Sequence, residues 1–319
     1  MKTLVECQMC GELCKGDLGL RNHLKGRQDH PSVKEYREKY VGNKRSIDIK
    51  FDYIIPVVNI NNDGYDNRLK NLLSILKVTP DFVNVVLVEQ MINPINRLYS
   101  NDLKDLPKDL NLTKKLVRHN IFNKGWLYNI GVKLSKTNDI ILAEGDIGIN
   151  RKYFIDLKEY ISKNKSKWFF AWNKIIYWNN DFTKKLRVDT PRKGMAEGGL
   201  VYFNKDFYWS IGGSNEFFQE LGGIDNELAT RARFITGKDK LFEGTINHLW
   251  HPISYLKKEK WKLGKHHLTN RTIYYQVRNN TKIAIEMLKT MDIGNFNCPV
   301  DNTVRDEFFR KLNIKKVAK

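Results

Sequence analysis

From residue 51 the chain alternates between short runs that are apolar at nearly every position and stretches in which apolar residues recur three and four places apart. The first run, 53–59, contains Ile54-Ile55-Pro56-Val57 and leads into the polar turn Asn61-Asn62-Asp63-Gly64. Arg68, Leu69, Leu72, Leu73, Ile75 and Leu76 then mark one helical face. A second run, 82–88, ends on Glu89-Gln90. Strands apolar on both faces are buried on both faces, and strand–helix–strand with such strands predicts a parallel sheet covered by helices. Residues 91–120 read as a polar connection. A helix is predicted over 122–134, a third buried strand over 138–143, and further strands at 168–172 and 197–203. Residues 173–195 form a basic and aromatic excursion between the last two. Gly222-Gly223 opens another helix, 241–246 leads to His248-Leu249-Trp250-His251, and the rest reads as helices with a basic tail. Ahead of the first run, 32–50 reads as a charged helix with stop signals at Gly42-Asn43, running into a linker.

The strand over 138–143 ends abruptly on Glu144-Gly145-Asp146. Side chains alternate along an extended chain, so positions 144 and 146 are expected to point the same way. Two carboxylates aimed together are unfavourable without a cation between them. A divalent metal carrying a diphosphate satisfies that need; a solvated acidic turn is the plainer alternative.

Composition bounds the rest. The 319 residues are 41% hydrophobic and 12% aromatic, enough for one large domain with a small module, or for two domains. No run of about 18 apolar residues occurs, which predicts no membrane span, and Met1-Lys2-Thr3-Leu4-Val5-Glu6 starts no signal peptide. The four cysteines, three of them at Cys7, Cys10 and Cys14, do not form a disulfide framework, so a reducing, cytoplasmic setting is expected, the host cytoplasm if the protein is viral. A net charge of +19 favours polyanionic partners, whether nucleic acid, anionic membrane or phosphorylated ligands, although a chain this rich in Lys and Asn carries charge from composition alone. There is no GxGxxG and no GxxxxGK[ST], so dinucleotide and P-loop readings have no support.

The N-terminal segment has its own signature. Cys7-x2-Cys10-x12-His23-x6-His30 has the spacing of a tetrahedral zinc site. It resembles a C2H2-type zinc finger of ββα form, with a His–His gap of six instead of the usual three to five, and with Cys14 as a rival ligand. So short a segment needs structural Zn2+ to fold.

Five separated features occur in order: Phe122-Asn123-Lys124 with Asn129-x-Gly131; Glu144-Gly145-Asp146; Glu197-Gly198-Gly199 with Gly212-Gly213; Gly222-Gly223-x-Asp225 with Arg231; and His248-x-x-His251. This succession resembles the GT-A glycosyltransferases, and most closely the C-terminal region of the beta-1,4-galactosyltransferase family, over roughly residues 51–255. The resemblance implies an α/β fold of the GT-A (nucleotide-diphospho-sugar transferase) type with a mixed, mostly parallel central sheet. It implies domains at 1–31 (finger), 32–50 (linker), 51–255 (transferase) and 256–319 (basic helical extension). It implies a UDP-sugar donor and catalytic Mn2+ or Mg2+. Asp146 and His251 match metal ligands, and His248 falls where the family uses a methionine ligand. Pro56, Arg68, Phe122, Lys124, Glu144, Gly198 and Gly199 fall on the donor side, with Glu for the family's Asp at 144 and Lys for its Arg at 124. Asp225 matches the catalytic base of an inverting transfer, and Leu221 replaces a sugar-packing tryptophan. The residues alone leave alternatives open: Asp225 is also a favourable first-turn helix acid, and His248 and His251 also suit an aromatic core beside Trp250.

The acceptor is read from charge. In 173–195, Tyr177, Trp178 and Phe182 interleave with Lys184, Lys185, Arg187, Arg192 and Lys193, a pattern suited to phosphates and stacked bases or to a solvated loop. The leading expectation is sugar transfer to a hydroxymethylated pyrimidine in DNA of viral type, with the base flipped for attack. The other readings are a transferase of glycan or protein acceptors, and a nucleic-acid-binding scaffold with a degenerate transferase domain.

Overall fold

A computed structural model describes residues 4–6, 13–15, 49–59, 64–190, 198–220, 222–251 and 265–313. The chain divides into two compact units, Met1–Asp48 and Ile49–Lys319. In the first, β1 (Leu4–Glu6) and β2 (Leu13–Lys15) pair antiparallel, Val5 opposite Cys14. Cys7, Cys10, His23 and His30, and the expected helix after them, lie outside the described residues.

The second unit runs β3 (Phe51–Asn59), α1 (Tyr65–Val78), β4 (Val83–Met91), α2 (Tyr99–Asp102), β5 (Asn111–Arg118), α3 (Lys124–Leu134), β6 (Asp139–Ala143), β7 (Ile147–Gly148), α4 (Arg151–Lys163), β8 (Trp168–Phe170), β9 (Lys174–Trp178), β10 (Lys185–Asp189), β11 (Leu200–Asn204), α5 (Lys205–Ser210), α6 (Ile224–Thr236), β12 (Thr245–His248), α7 (Lys265–Asn279), α8 (Thr281–Lys289) and α9 (Asn302–Lys311). The six-stranded sheet has the order β5-β4-β3-β6-β11-β8. β5, β4, β3 and β6 are parallel, and β11 runs antiparallel to both its neighbours. This is a mixed α/β sheet, mostly parallel, as expected. A smaller sheet, β10-β9-β12-β7, carries the 245–251 segment to the end of β6.

β3 and β4 are buried along most of their length because helices cover both faces, which is why they read as unbroken apolar runs. Their few polar side chains anchor loops. Asp52 accepts from the backbone and hydroxyl of Thr137. Glu89 caps α2 through Tyr99 N and Ser100 N. Gln90 donates to His119 O and Ile121 O and accepts from Asn123 N, which fixes the entry to α3. Glycine at 131 lets α3 lie on the sheet: a Cβ there would stand 2.2 Å from Ile54 Cγ2.

The structure departs from the sequence reading in three places. Residues 91–120 are not only a connection, because β5 pairs with β4 over eight positions. It is an edge strand carrying Lys114, Lys115 and Arg118, and its alternating exposure hides the apolar signal. The 173–195 excursion contains the β9–β10 hairpin. Helix α4 is an addition to the predicted elements: Tyr153, Phe154, Leu157 and Ile161 are its buried stripe, and Asn150 caps it by accepting from Tyr153 N.

The C-terminal helices belong to the second unit. Ile273, Val277, Leu288 and Phe308 pack with Phe217, Phe218 and Ile224 in a separate apolar cluster. No described helix is long and apolar enough to cross a membrane. Glu216, only 3% exposed, ties this region to α3. It accepts from Asn129 Nδ2, Gly294 N and Val300 N. Burial pushes its carboxyl from 4.5 up to about 7, against the pull of those three donors. An acid whose folded pKa is raised binds its proton more tightly in the folded state, so its contribution is complete below about 4.5 and is lost as pH rises through about 7. The loss is on the order of 2–3 kcal/mol. Urea unfolding at pH 5 and pH 8 is expected to show it, and Glu216→Gln is expected to flatten that difference.

Candidate active site

Lys124 is the first residue of α3. Asn123 caps the helix by accepting from Trp126 N and is itself held by donating to Glu216 O. This fixes the start of the Lys124 side chain, which is 13% exposed. Its ammonium donates to Glu144 Oε1 at 2.6 Å and to Asp225 Oδ1 and Oδ2 at 3.1 and 3.0 Å. Burial pushes the Lys124 pKa down, but Asp225 and then Glu144 outweigh it and hold it well above the ordinary value. Lys124 is therefore a charged bridge between two carboxylates. Asp225 sits in the first turn of α6, behind Gly223, whose φ of 84° places it in the left-handed region. A Cβ on Gly198 would stand 3.0 Å from Glu144 Oε1 and 3.3 Å from Asp225 Oδ2. Glycine there keeps the space between the two acids open. Gly199 O accepts from Glu144 N, and Trp172 Nε1 donates to Gly198 O, so this backbone is held from both sides.

Asp146 belongs to a second cluster. Its Oδ2 lies 2.8 Å from His251 Nε2 and 3.6 Å from His248 Nε2. Ligand atoms of the three residues lie within 4.8 Å of one another. Leu249 N donates to Asp146 O, and β12 pairs with β7, which brings the histidines to the acid. The His248 ring stacks on Tyr177 at 4.7 Å, and Arg187 lies over the other ring of that stack, 4.1 Å from the Tyr177 centroid. Burial pushes the Asp146 carboxyl up, but His248 and the His251 hydrogen bond outweigh it and hold it well below the usual carboxylate range. Asp146 Oδ1 is buried with no partner among the described residues. One carboxylate oxygen with unused lone pairs beside two imidazoles is a mixed oxygen and nitrogen donor set that could hold a divalent cation.

The structure corrects one expectation. Glu144 and Asp146 do not act as a pair, because β6 stops at Ala143 and Ile147 N closes a turn onto Glu144 O. The strand alternation is lost there, and the two acids take different partners. Pro56 is buried in β3 opposite Val88, Arg68 stands beside Tyr99, and Phe122 packs half-buried against the core. None of these three is among the contacts joining Lys124, Glu144 and Asp225. Glu197 and Leu221 lie outside the described residues. Tyr177, read as part of a basic–aromatic surface, instead supports His248; the signal was its parallel register with His248 across β9 and β12. Tyr128, whose ring lies 5.5 Å from Lys124 Nζ, was not anticipated as part of the site.

No known family's profile and no curated protein matches the chain. Among solved structures it is similar to S. aureus TarS 1-349 in complex with UDP-GlcNAc, at 14% identity and TM-score 0.47 over 83% of this chain and 71% of that one. It is similar to the mannosyltransferase PcManGT from Pyrobaculum calidifontis in complex with GDP-Man and Mn2+, at 13% and 0.46 over 73% and 64%. It is also similar to GalNAc-T7 with UDP, GalNAc and Mn2+, at 15% and 0.45 over 84% and 55%. These are distant likenesses, and the reading of the site rests on its own side chains.

Proposed function

We propose that the chain is a metal-dependent glycosyltransferase that moves a sugar from a UDP-sugar to a hydroxyl acceptor with inversion. The observation that carries this is the pairing of two clusters two residues apart along the chain: Asp146 with two histidines, and Glu144 with Asp225 across one ammonium. The ordered motifs shared with the beta-1,4-galactosyltransferase family support it, with the transferase unit at 51–255, a zinc finger at 1–31, a linker at 32–50 and a basic extension at 256–319.

Asp146, His251 and His248 would hold Mn2+ or Mg2+, whose charge would stabilise the departing diphosphate. Lys124 is the buried ammonium closest to the donor acids and adds a second positive charge for the phosphates. Glu144 orients the donor, and Gly198 lets it approach the backbone; Gly199, expected on the donor side, is buried at a φ of 92° with its missing side chain toward Ile246 and Trp172, so glycine there serves the backbone conformation. Asp225 takes the proton from the acceptor hydroxyl as its oxygen bonds to the anomeric carbon and the bond to the diphosphate breaks. A shift of the Lys124 ammonium toward the phosphates of a bound donor would free the Asp225 carboxylate for that role.

The proposed acceptor classes are hydroxymethylated pyrimidine in DNA and glycan hydroxyls. The basic charge of the β9–β10 hairpin, with Lys184, Lys185 and Arg187, supports the first. The test is release of nucleoside diphosphate from labelled UDP-sugars and GDP-mannose with Mn2+, alone and with hydroxymethylated DNA or simple saccharides. Release that requires both metal and acceptor is expected; none with any donor removes the reading.

A further inference from the structure

The small sheet has two faces. Along β12 the side chains of His248 and Asn247 point to opposite sides. His248 faces the metal cluster. Asn247 faces a separate open cleft of about 660 Å3, between this sheet and the start of α4. That volume lies within the range of about 300–1,000 Å3 found for small-molecule sites.

The cleft is built around aromatic rings and neutral or acidic polar groups. Trp178 forms part of its wall, fixed by donating from Nε1 to Asn247 Oδ1 at 2.8 Å. The amide of Asn247 keeps a donor hydrogen, since among the described residues Nδ2 makes one long contact, 3.4 Å to Gly148 O. Phe182 projects from the hairpin tip, 40% exposed, with φ of 62°. A bulky residue in the left-handed region is strained. The tip is held in place by Asn179 Oδ1, which accepts from Thr183 N and Lys184 N. The Tyr153 hydroxyl at the inner wall is buried without a partner among the described residues. Among the charged groups lining the cleft, Lys152 is neutralised by Asp156 at 2.6 Å, which leaves Glu243 as the unbalanced charge.

We propose that this cleft binds a neutral oligosaccharide. Flat aromatic faces suit the apolar faces of sugar rings, and an amide and carboxylates suit their hydroxyls. The groups lining the cleft carry no net positive charge, so they offer a nucleic acid strand no phosphate partner, in spite of the basic chain. The site is distinct from the donor site on the other face of the sheet. It refines the transferase reading by assigning a glycan as a ligand held away from the reacting centre, as a remote part of a glycan acceptor would be, and it rests on that reading only for this last step.

The test is calorimetric titration of the full chain with maltohexaose, cellohexaose and chitohexaose, and with a single-stranded oligodeoxynucleotide. Saturable binding of at least one hexasaccharide is expected, weakened about tenfold or more in Phe182→Gly and in Trp178→Ala. Phe182→Gly relieves the left-handed strain, so its thermal midpoint should be equal to or above that of the wild type, which separates lost binding from lost folding. The same binding should persist in Asp146→Ala, whatever that variant does to the donor. No binding of any hexasaccharide, binding indifferent to Phe182→Gly, or displacement of the saccharide by the oligonucleotide would overturn the proposal.

Discussion

Asp225→Asn is expected to lower kcat by about two to four orders of magnitude, the usual worth of a positioned general base, and to leave donor affinity nearly unchanged. Asparagine keeps the shape of the side chain and can still accept from Lys124, but it cannot take a proton. Asp225 Oδ1 and Oδ2 both accept from Lys124 Nζ, so the substitution leaves that ammonium paired with Glu144 alone. The fold should be retained, because Glu144 still compensates the buried charge. Single-turnover transfer, read beside UDP binding, separates the two effects. An Asp225→Asn enzyme of wild-type rate would remove Asp225 as the base.

The second large effect is expected at Asp146. Its carboxylate would be the oxygen ligand beside the two imidazoles, and its Oδ1 has no hydrogen-bond partner among the described residues. Asp146→Ala should weaken Mn2+ binding by more than about 100-fold, beyond the 10–100-fold typical for groups that only support a ligand. Titration followed by the electron paramagnetic resonance of Mn2+ measures this directly. Folding should suffer less than metal binding, because the substitution removes a buried charge and leaves His248 supported by Tyr177. A variant that holds Mn2+ as tightly as the wild type would exclude Asp146 from the site.

Much of the frame is legible in the sequence for a simple reason. β3, β4 and β6 are buried on both faces, so their residues must be apolar at nearly every position. β5 was hidden because it is an edge strand, half exposed and charged. The β9–β10 hairpin was hidden because Leu186 and Val188 face solvent, at 60% and 50% exposure, among lysines and arginine. The meeting of Asp146 with His248 and His251 is legible in part, since His248-x-x-His251 leaves the end of a strand, β12. The Lys124 bridge is not, because Glu144 and Asp225 lie 20 and 101 residues from Lys124 along the chain and meet it only once the chain folds. The strand rule misled at Glu144 and Asp146, where the chain turns one residue after β6 ends.

Asp146, His248 and His251 are proposed to form a metal site serving a nucleoside diphosphate. Calorimetric titration of the protein with UDP, in Mn2+ and then in EDTA, tests it most directly. Binding in Mn2+ that disappears in EDTA and returns when the metal is restored is predicted. Equal affinity for UDP with and without the metal would contradict it.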